Sequence, residues 1–412
     1  MLYLLKMAIR NVNRNRRRSI LALTSVALSI MVITFFRGFT GGMLKSIVKN
    51  STKNETGHIR ITTREFYEKA RFMPVTENIA NPEKIITKIR NNENIQKDLL
   101  LITERINFGV LLNNKGNNRS AMVLAGDPEI EKDLLLLQNS LLPGGKYIRN
   151  ERETILGANL ADALNLDIGD TLKVMTQGSD YALHLRKFNI SGIFKTGLNI
   201  LDNRIFQIPL NDAKKLLRMG DATQQIIIML KDYTKANKIA DQIRTILNDD
   251  NLAVVSWTEH GQWASMVEKV SVIYNSIYFF IAFLGAFIIT NIMMMVVLER
   301  KKEIGIIKSM GISRGEVMIL FLLEGIFLGF IGSIAGIIMG MIFNVYFAIK
   351  GFDMTKMMGT FNFPIDPVLY FDISMTSLLN VLLIGILVSA LVSMLPSWRA
   401  SRMNAVDAIK SV

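Results

Sequence analysis

The sequence predicts an integral membrane α-helical protein: four transmembrane helices in a one-plus-three order, with a large α+β domain between helices 1 and 2. Three observations predict it. First, half of the 412 residues are hydrophobic and the mean hydropathy is positive, a balance expected of a membrane protein with a sizeable water-exposed part. Second, uncharged apolar runs lie at 19–36, 270–298, 317–349 (broken only by Glu324) and 373–396. A helix crosses a bilayer with about 20 residues at about 1.5 Å rise each, so all four can span. Third, the positive charge is concentrated in short segments beside these runs. Residues 1–18 carry Lys6, Arg10, Arg14, Arg16, Arg17 and Arg18 with no acid; 299–316 carry five bases and three acids; 397–412 carry three bases and one acid. Most of the formal charge of +13 sits there. By the positive-inside rule both termini and 299–316 face the cytoplasm. The large domain stays nearly neutral, so nucleic acid is not expected as a partner.

Element by element, the chain divides as follows. Residues 1–18 form a basic cytosolic segment and 19–48 the first span with an outward extension. The shortest run ends at Arg37, which reaches the headgroups by snorkelling. A cleaved signal peptide would also begin with basic residues and an apolar run. No convincing small-residue cleavage site follows, so an anchor is expected. Residues 49–262 form the outer domain, large enough for its own core. Its "LLLITER", "NFGVLLN", "SAMVLAG", "DTLKVMT", "FNISGIF", "RIFQIPL" and "QQIIIML" read as strands, being rich in branched and aromatic residues. "PEKIITKIR", "GANLADALN", "NDAKKLLRMG" and "TKANKIADQIRTIL" have helical spacing, and "NKGN" at 114–117 reads as a hairpin turn. Residues 263–298 are a stalk and the second span, 299–312 a short cytosolic helix, and 313–349 the third span. A short outer loop (350–372), the fourth span (373–396) and a C-terminal helix (397–412) complete the chain.

No catalytic constellation is visible. Cysteine is absent, and His58, His184 and His260 are far apart, so neither a disulfide framework nor a thiolate or histidine metal site is expected. There is no GxxxxGK[ST] phosphate loop; "LPGGKY" at 142–147 has the wrong spacing and reads as a turn. Asp167 and Asp170 in "LDIGD" fit a strand-leading turn better than a carboxylate pair. GxSxG and HExxH are missing too.

Several positions stand out for other reasons. Phe36, Phe39, Met43 and Ile47 recur at helical spacing past Arg37, and Met266, Val270, Ile273 and Ile277 do so on the return side. These stripes pack on one another, with Tyr274 and Tyr278 in the interfacial aromatic belt, or line an opening where a lipidic substrate enters. Gly325, Gly329, Gly332, Gly336 and Gly340 make GxxxG spacings in the third span. That allows close approach of helices within the bundle or across a dimer. Glu324, about 11 Å into that span, needs a partner, for which Arg300 is the candidate.

Between the second and third spans runs "ERKKEIGIIKSMGISRGE". Gly311 can end a short helix in left-handed geometry, and Ser313 with Glu316 forms an S-x-x-E capping box that starts the third span. Ile304, Ile307 and Met310 form an apolar row among Glu299, Arg300, Lys301, Lys302, Glu303 and Lys308. A solvated loop on anionic lipid would explain the lysines but not the row or the capped ends.

"ERKKEIGIIKSMG" resembles the coupling-helix motif of FtsX-like ABC transporter permeases, and "FLLEGIFLGFIGSIAG" the membrane helix after it. "MAIRNVNRNRRRSILALTSVALSI" resembles their entry helix and first span, and "PSWRASRMNAVDAIK" their C-terminal signature, in which a proline ends the last span and a short helix follows. The outer domain resembles the MacB-like periplasmic core; within it "GANLADALNLDIGDTLKV" and "FNISGIFKTGLNILDNRIFQIPLNDAKKLL" look most like lipoprotein-releasing (Lol) permeases. The resemblance covers nearly the whole chain in the expected order. It implies a non-catalytic permease of the bacterial inner membrane, with the large domain periplasmic. No cofactor is implied in this chain, because a separate cytosolic ATPase dimer binds ATP and Mg. A second permease chain, identical or homologous, is implied as well.

The resemblance also assigns residues. Glu299, Arg300, Glu303, Ile304, Gly305, Ile307, Lys308, Met310 and Gly311 would form the coupling segment, with Ile304 and Met310 as apolar contacts. In the Lol branch a triacylated lipoprotein would leave the outer leaflet past the Phe36–Ile277 stripes and pass to a periplasmic carrier. The alternatives are a MacB-like efflux permease and an FtsX-like signalling protein. MacB-type exporters carry their ATPase on the same chain, and FtsX proteins have a much smaller outer domain.

Overall fold

The structure is a computed structural model that describes residues 2–14, 16–259, 261–355 and 365–404. Among these, four helices are long and apolar enough to cross a membrane. The chain divides into two compact units.

The membrane unit comprises residues 1–45, 268–352 and 368–412. The entry helix runs Leu2–Arg14, and the first span helix runs Arg16–Ser51 without a break. The second span helix is Gly261–Glu299, the third Arg314–Lys350 and the fourth Met375–Arg402. The fourth corrects one expectation: Pro396 does not end the span but lies inside its helix. Ser393 and Ser397 turn their hydroxyls onto the carbonyls of Ser389 (2.7 Å) and Ser393 (2.5 Å). The helix expected after it reaches into 405–412, outside the described residues.

Glycines set the packing of the third span. A Cβ at Gly325 or Gly329 would strike Ser393 or Ser389 of the fourth span, and at Gly336 it would come within 2.5 Å of the Ala27 carbonyl oxygen. Gly332 and Gly340 meet Val26 and Thr34 of the first span in the same way. One glycine ladder therefore serves two neighbouring helices inside a single chain, the close approach that small residues permit. Tyr278 of the second span is buried, shares a 2.8 Å hydrogen bond with the Thr40 hydroxyl and donates to the Phe36 carbonyl at 3.1 Å. Its side chain is packed within the bundle. Arg37 stacks on its ring, 4.9 Å from the centroid.

The outer unit comprises residues 46–267 and 353–367. Among its described residues one sheet has nine strands: β1 (Ile59–Thr63), β2 (Leu99–Asn114), β3 (Asn117–Gly126), β4 (Glu153–Gly157), β5 (Thr171–Gln177), β6 (Leu183–Phe194), β7 (Ile205–Pro209), β8 (Gln225–Leu230) and β9 (Leu252–Ser256). Their order is β3-β7-β4-β6-β5-β2-β8-β1-β9, and β3 also pairs with β2. The first six strands thus close on themselves, which removes their edges. Strand β2 is long enough to pair with β8 at one end and β5 at the other. "LLLITER" and "NFGVLLN" are parts of this one strand. The "NKGN" turn is a tight hairpin with Lys115 and Gly116 both at positive φ, the geometry of a primed turn. Asp170 accepts the Asp167 N–H at 2.9 Å, so these two acids do make a turn.

Two cores result. Phe108, Phe188, Phe206, Leu164 and Leu217 fill the closed strands. Ile59, Ile61, Ile226 and Ile228 pack beneath the helices Pro82–Arg90 and Ala236–Leu247. Between β2 and the end of the first span helix, the fully buried Arg105 forms a two-point ion pair with Glu131 (2.9 and 2.7 Å) and donates to the Lys53 carbonyl at 2.8 Å. That carbonyl belongs to a single π-helical turn, Thr52–Thr56.

Candidate coupling site

The segment after the second span folds as a nine-residue helix, Lys301–Ser309. Arg300 leaves the helical region and turns the chain into it. At its far end Gly311 has φ +98° and its N–H bonds to the Lys308 carbonyl at 3.1 Å. Ser313 then caps the third span reciprocally: its N–H reaches Glu316 Oε2 at 2.8 Å, and its hydroxyl accepts the Glu316 N–H at 3.2 Å. The far end of the short helix and the start of the third span are therefore fixed by local sequence.

Three contacts hold it against the rest of the unit. Glu303 accepts from Arg14 of the entry helix and from Arg300 Nε at 2.9 Å. Burial works against the charge of Glu303, but these two guanidinium groups outweigh it and keep its carboxyl below the usual carboxylate range. Arg300 also reaches Glu324 at 3.4 Å and lies 5.4 Å from the Phe321 ring centroid. This supplies the partner that a carboxylate inside a span requires. Lys308 donates to the Ser401 and Met403 carbonyls at 2.7 and 2.6 Å, satisfying acceptors at the C-terminus of the fourth span helix. Burial, with Arg314 nearby, lowers the pKa of its ammonium.

The apolar residues divide differently from the expected row. Ile304 is only 3% exposed and packs with Val297, Val317, Phe321 and Ala400. It is a core residue, which corrects its assignment as an outward contact. Gly305 is buried beside it and Ile307 is half-buried. The outward apolar positions are Met310, 71% exposed, and Ile306, 51% exposed. Glu299 and Lys302 are exposed too. Sequence reasoning missed Ile306 and Arg14. Ile306 carried a signal, since it lies four residues before Met310, one helical turn away; Arg14 carried none beyond its basic neighbours.

The two membrane stripes do not share one environment. Phe36, Ile273 and Ile277 are exposed on the membrane unit, and Val270 and Met43 are half-buried. Phe39 is edge-on to Phe371 and Phe352 at 5.6 and 6.3 Å. In the outer unit Met266 is half-buried, whereas Ile47 is 0% exposed. Ile47 is therefore closed to a lipid chain, contrary to expectation. Among the described residues no cluster of histidine, aspartate and glutamate could hold a metal ion. His184 pairs with Asp180 at 2.9 Å, and His260 lies outside the described residues.

Comparison with known proteins defines the class. Residues 19–246 match the MacB-like periplasmic core domain and residues 275–405 the FtsX-like permease C-terminal family. The chain belongs to this family of ABC transporter permeases, whose membership implies an ATPase partner. It is 24% identical over 398 residues to the lipoprotein-releasing system transmembrane protein LolC of Neisseria meningitidis serogroup B, covering 93% of this chain and 91% of that one. It is 27% identical over 287 residues to LolC of Xylella fastidiosa, covering 66% of each chain. The periplasmic region of MacB from Actinobacillus actinomycetemcomitans aligns with a TM-score of 0.35 and 10% identity, covering 55% of this chain and 97% of that one. Four spans and these relatives support a place in the inner membrane.

Proposed function

We propose that the chain is the permease subunit of a Lol-type transporter, extracting lipoproteins from the outer leaflet of the inner membrane and handing them to a periplasmic carrier. Both termini and the helix Lys301–Ser309 then face the cytosol, and the large unit faces the periplasm. The observation that carries this reading is the way Lys301–Ser309 is built. Its inner face is fixed through Ile304, Glu303 and Lys308 to the entry helix and to the third and fourth spans. Its outer face offers Ile306 and Met310 to a partner. A helix fixed on three sides moves as one body with the spans when a partner pushes on it. The partner would be an ATPase dimer that supplies the ATP and Mg chemistry, and a second permease chain would complete the membrane unit.

Energetics favour a machine of this kind. One myristoyl-sized chain anchors with a partition constant of about 10⁴ M⁻¹, or roughly 5 kcal/mol. Three chains hold on the order of 15 kcal/mol, so escape into water needs an energy source and an apolar receiver. The LolC relatives, named for a lipoprotein-releasing system, add to this reading.

The test is reconstitution with the partner ATPase and a triacylated lipoprotein, followed by measurement of ATP-dependent transfer to a soluble carrier. Transfer abolished by an ATPase-inactive partner is expected. Hydrolysis stimulated by the permease without any transfer would leave the coupling and sink the lipoprotein substrate, returning the question to efflux or signalling.

A further inference from the structure

The entry helix Leu2–Arg14 has two faces. On one, Ala8 packs with Leu320 of the third span, and Val12 joins the core of the bundle. Leu320 lies about 9 Å along a helix that starts at Arg314, at about 1.5 Å per residue. The entry helix therefore sits at one end of the bundle, at the depth where lipid headgroups meet acyl chains.

The opposite face carries Tyr3, Lys6, Arg10 and Arg14, all exposed. Each is three or four residues from the next, so they form one row along the helix. Like charges at this spacing repel and weaken a helix. Arg14 is relieved by its ion pair with Glu303. Among the described residues Lys6 and Arg10, one turn apart, have no acidic partner. Residues 1–18 contain no acid that could supply one.

The chemistry of the row identifies its occupant. Two cations without a counter-charge call for an anion, and the absence of an acid leaves nothing to hold a choline or ethanolamine ammonium. Tyr3 at one end is 69% exposed, and tyrosine favours the membrane–water interface. Beyond Arg17, Ile20 and Leu21 are 55% and 60% exposed and open the apolar surface of the first span. A soluble anion or an acidic protein would use the charges and leave that apolar surface idle; a lipid uses both. We propose that Lys6 and Arg10 bind the phosphate of an anionic glycerophospholipid in the adjoining leaflet, with Tyr3 beside its headgroup and its acyl chains along Ile20 and Leu21. Such a lipid lies one helical turn from Arg14, beside the ion pair that holds the coupling helix. The proposal is independent of what the transporter carries.

The test is native mass spectrometry of the delipidated full-length chain in detergent, titrated with dioleoyl phosphatidylglycerol or dioleoyl phosphatidylcholine. The tightest-bound phosphatidylglycerol should bind more strongly than phosphatidylcholine. Lys6→Gln/Arg10→Gln should lower its affinity about fivefold for each cation removed. Lys6→Arg/Arg10→Lys keeps both charges and should retain it. Both side chains are exposed, so each variant should unfold at the wild-type temperature in lipid-free detergent. Equal wild-type affinity for the two lipids, or unchanged phosphatidylglycerol affinity in the glutamine variant, would overturn the proposal. Displacement of the lipid by millimolar inorganic phosphate would make the row a soluble-anion site and overturn it as well. A glutamine variant that keeps phosphatidylglycerol but loses the partner ATPase in lipid-free detergent would assign the row to an acidic protein surface instead.

Discussion

Arg300 reaches Glu324 at 3.4 Å, and both side chains are almost wholly withdrawn from solvent. The pair joins the turn before the coupling helix to the third span, and Arg300 serves Glu303 at the same time.

Removing one member of a buried pair leaves an uncompensated charge. Arg300→Met is therefore expected to cost about 3–5 kcal/mol. Glu324→Met should cost less, since Arg300 keeps Glu303, and the double replacement should recover part of the loss. A double-mutant cycle on the unfolding of the solubilised permease measures this, and strict additivity would remove the coupling between the two.

The glycine ladder gives a second prediction. Gly336→Ala puts a Cβ 2.5 Å from the Ala27 carbonyl oxygen, so the first and third spans must separate at a cost of about 1–3 kcal/mol. Gly315→Ala meets no atom nearer than Ser313 Oγ at 4.0 Å and serves as the control. Thermal unfolding in detergent should distinguish them by several degrees.

Acid should weaken the outer unit through His58. Burial lowers its pKa from 6.5 to about 4, and its Nδ1 accepts the Leu230 N–H at 2.9 Å, which a proton on that nitrogen would break. The unfolded chain binds the proton more readily, so stability is complete above pH 6.5 and falls as pH drops towards 4. The loss is on the order of 3 kcal/mol. His58→Gln should flatten that part of the stability–pH curve, and an unchanged slope between pH 6.5 and 4 would contradict the assignment.

The two faces of the coupling helix should respond oppositely to charge. Ile304→Asp buries a carboxylate among Val297, Val317 and Phe321 and should destabilise the permease by about 3 kcal/mol or more. Met310→Asp and Ile306→Asp lie on the exposed face and should leave the unfolding temperature unchanged. They should weaken ATPase binding about 10- to 100-fold, since burying such a side chain is worth about 1.5–3 kcal/mol. Binding measured by titration calorimetry checks this.

These residues also show where sequence reasoning succeeds and where it stops. The Ser313–Glu316 box, the Gly311 terminus and the hairpin at Lys115–Gly116 were legible because their geometry is made by residues within four positions of one another. Glu324 was legible as a charge that had to find a partner. Ile304 was not, because its burial is decided by Phe321 and Ala400, far along the chain. The closure of six strands was not legible for the same reason, since it needs the β3–β7 and β2–β5 pairings between distant segments. At Pro396 the resemblance expected the last span to end, whereas the helix runs on to Arg402.

The most direct test of the account is lipoprotein transferred per ATP hydrolysed, compared in proteoliposomes between the wild type and Met310→Asp of equal thermal stability. The account predicts that transfer is lost with Met310→Asp while the permease stays folded. Wild-type transfer per ATP with Met310→Asp would contradict it and place the coupling elsewhere.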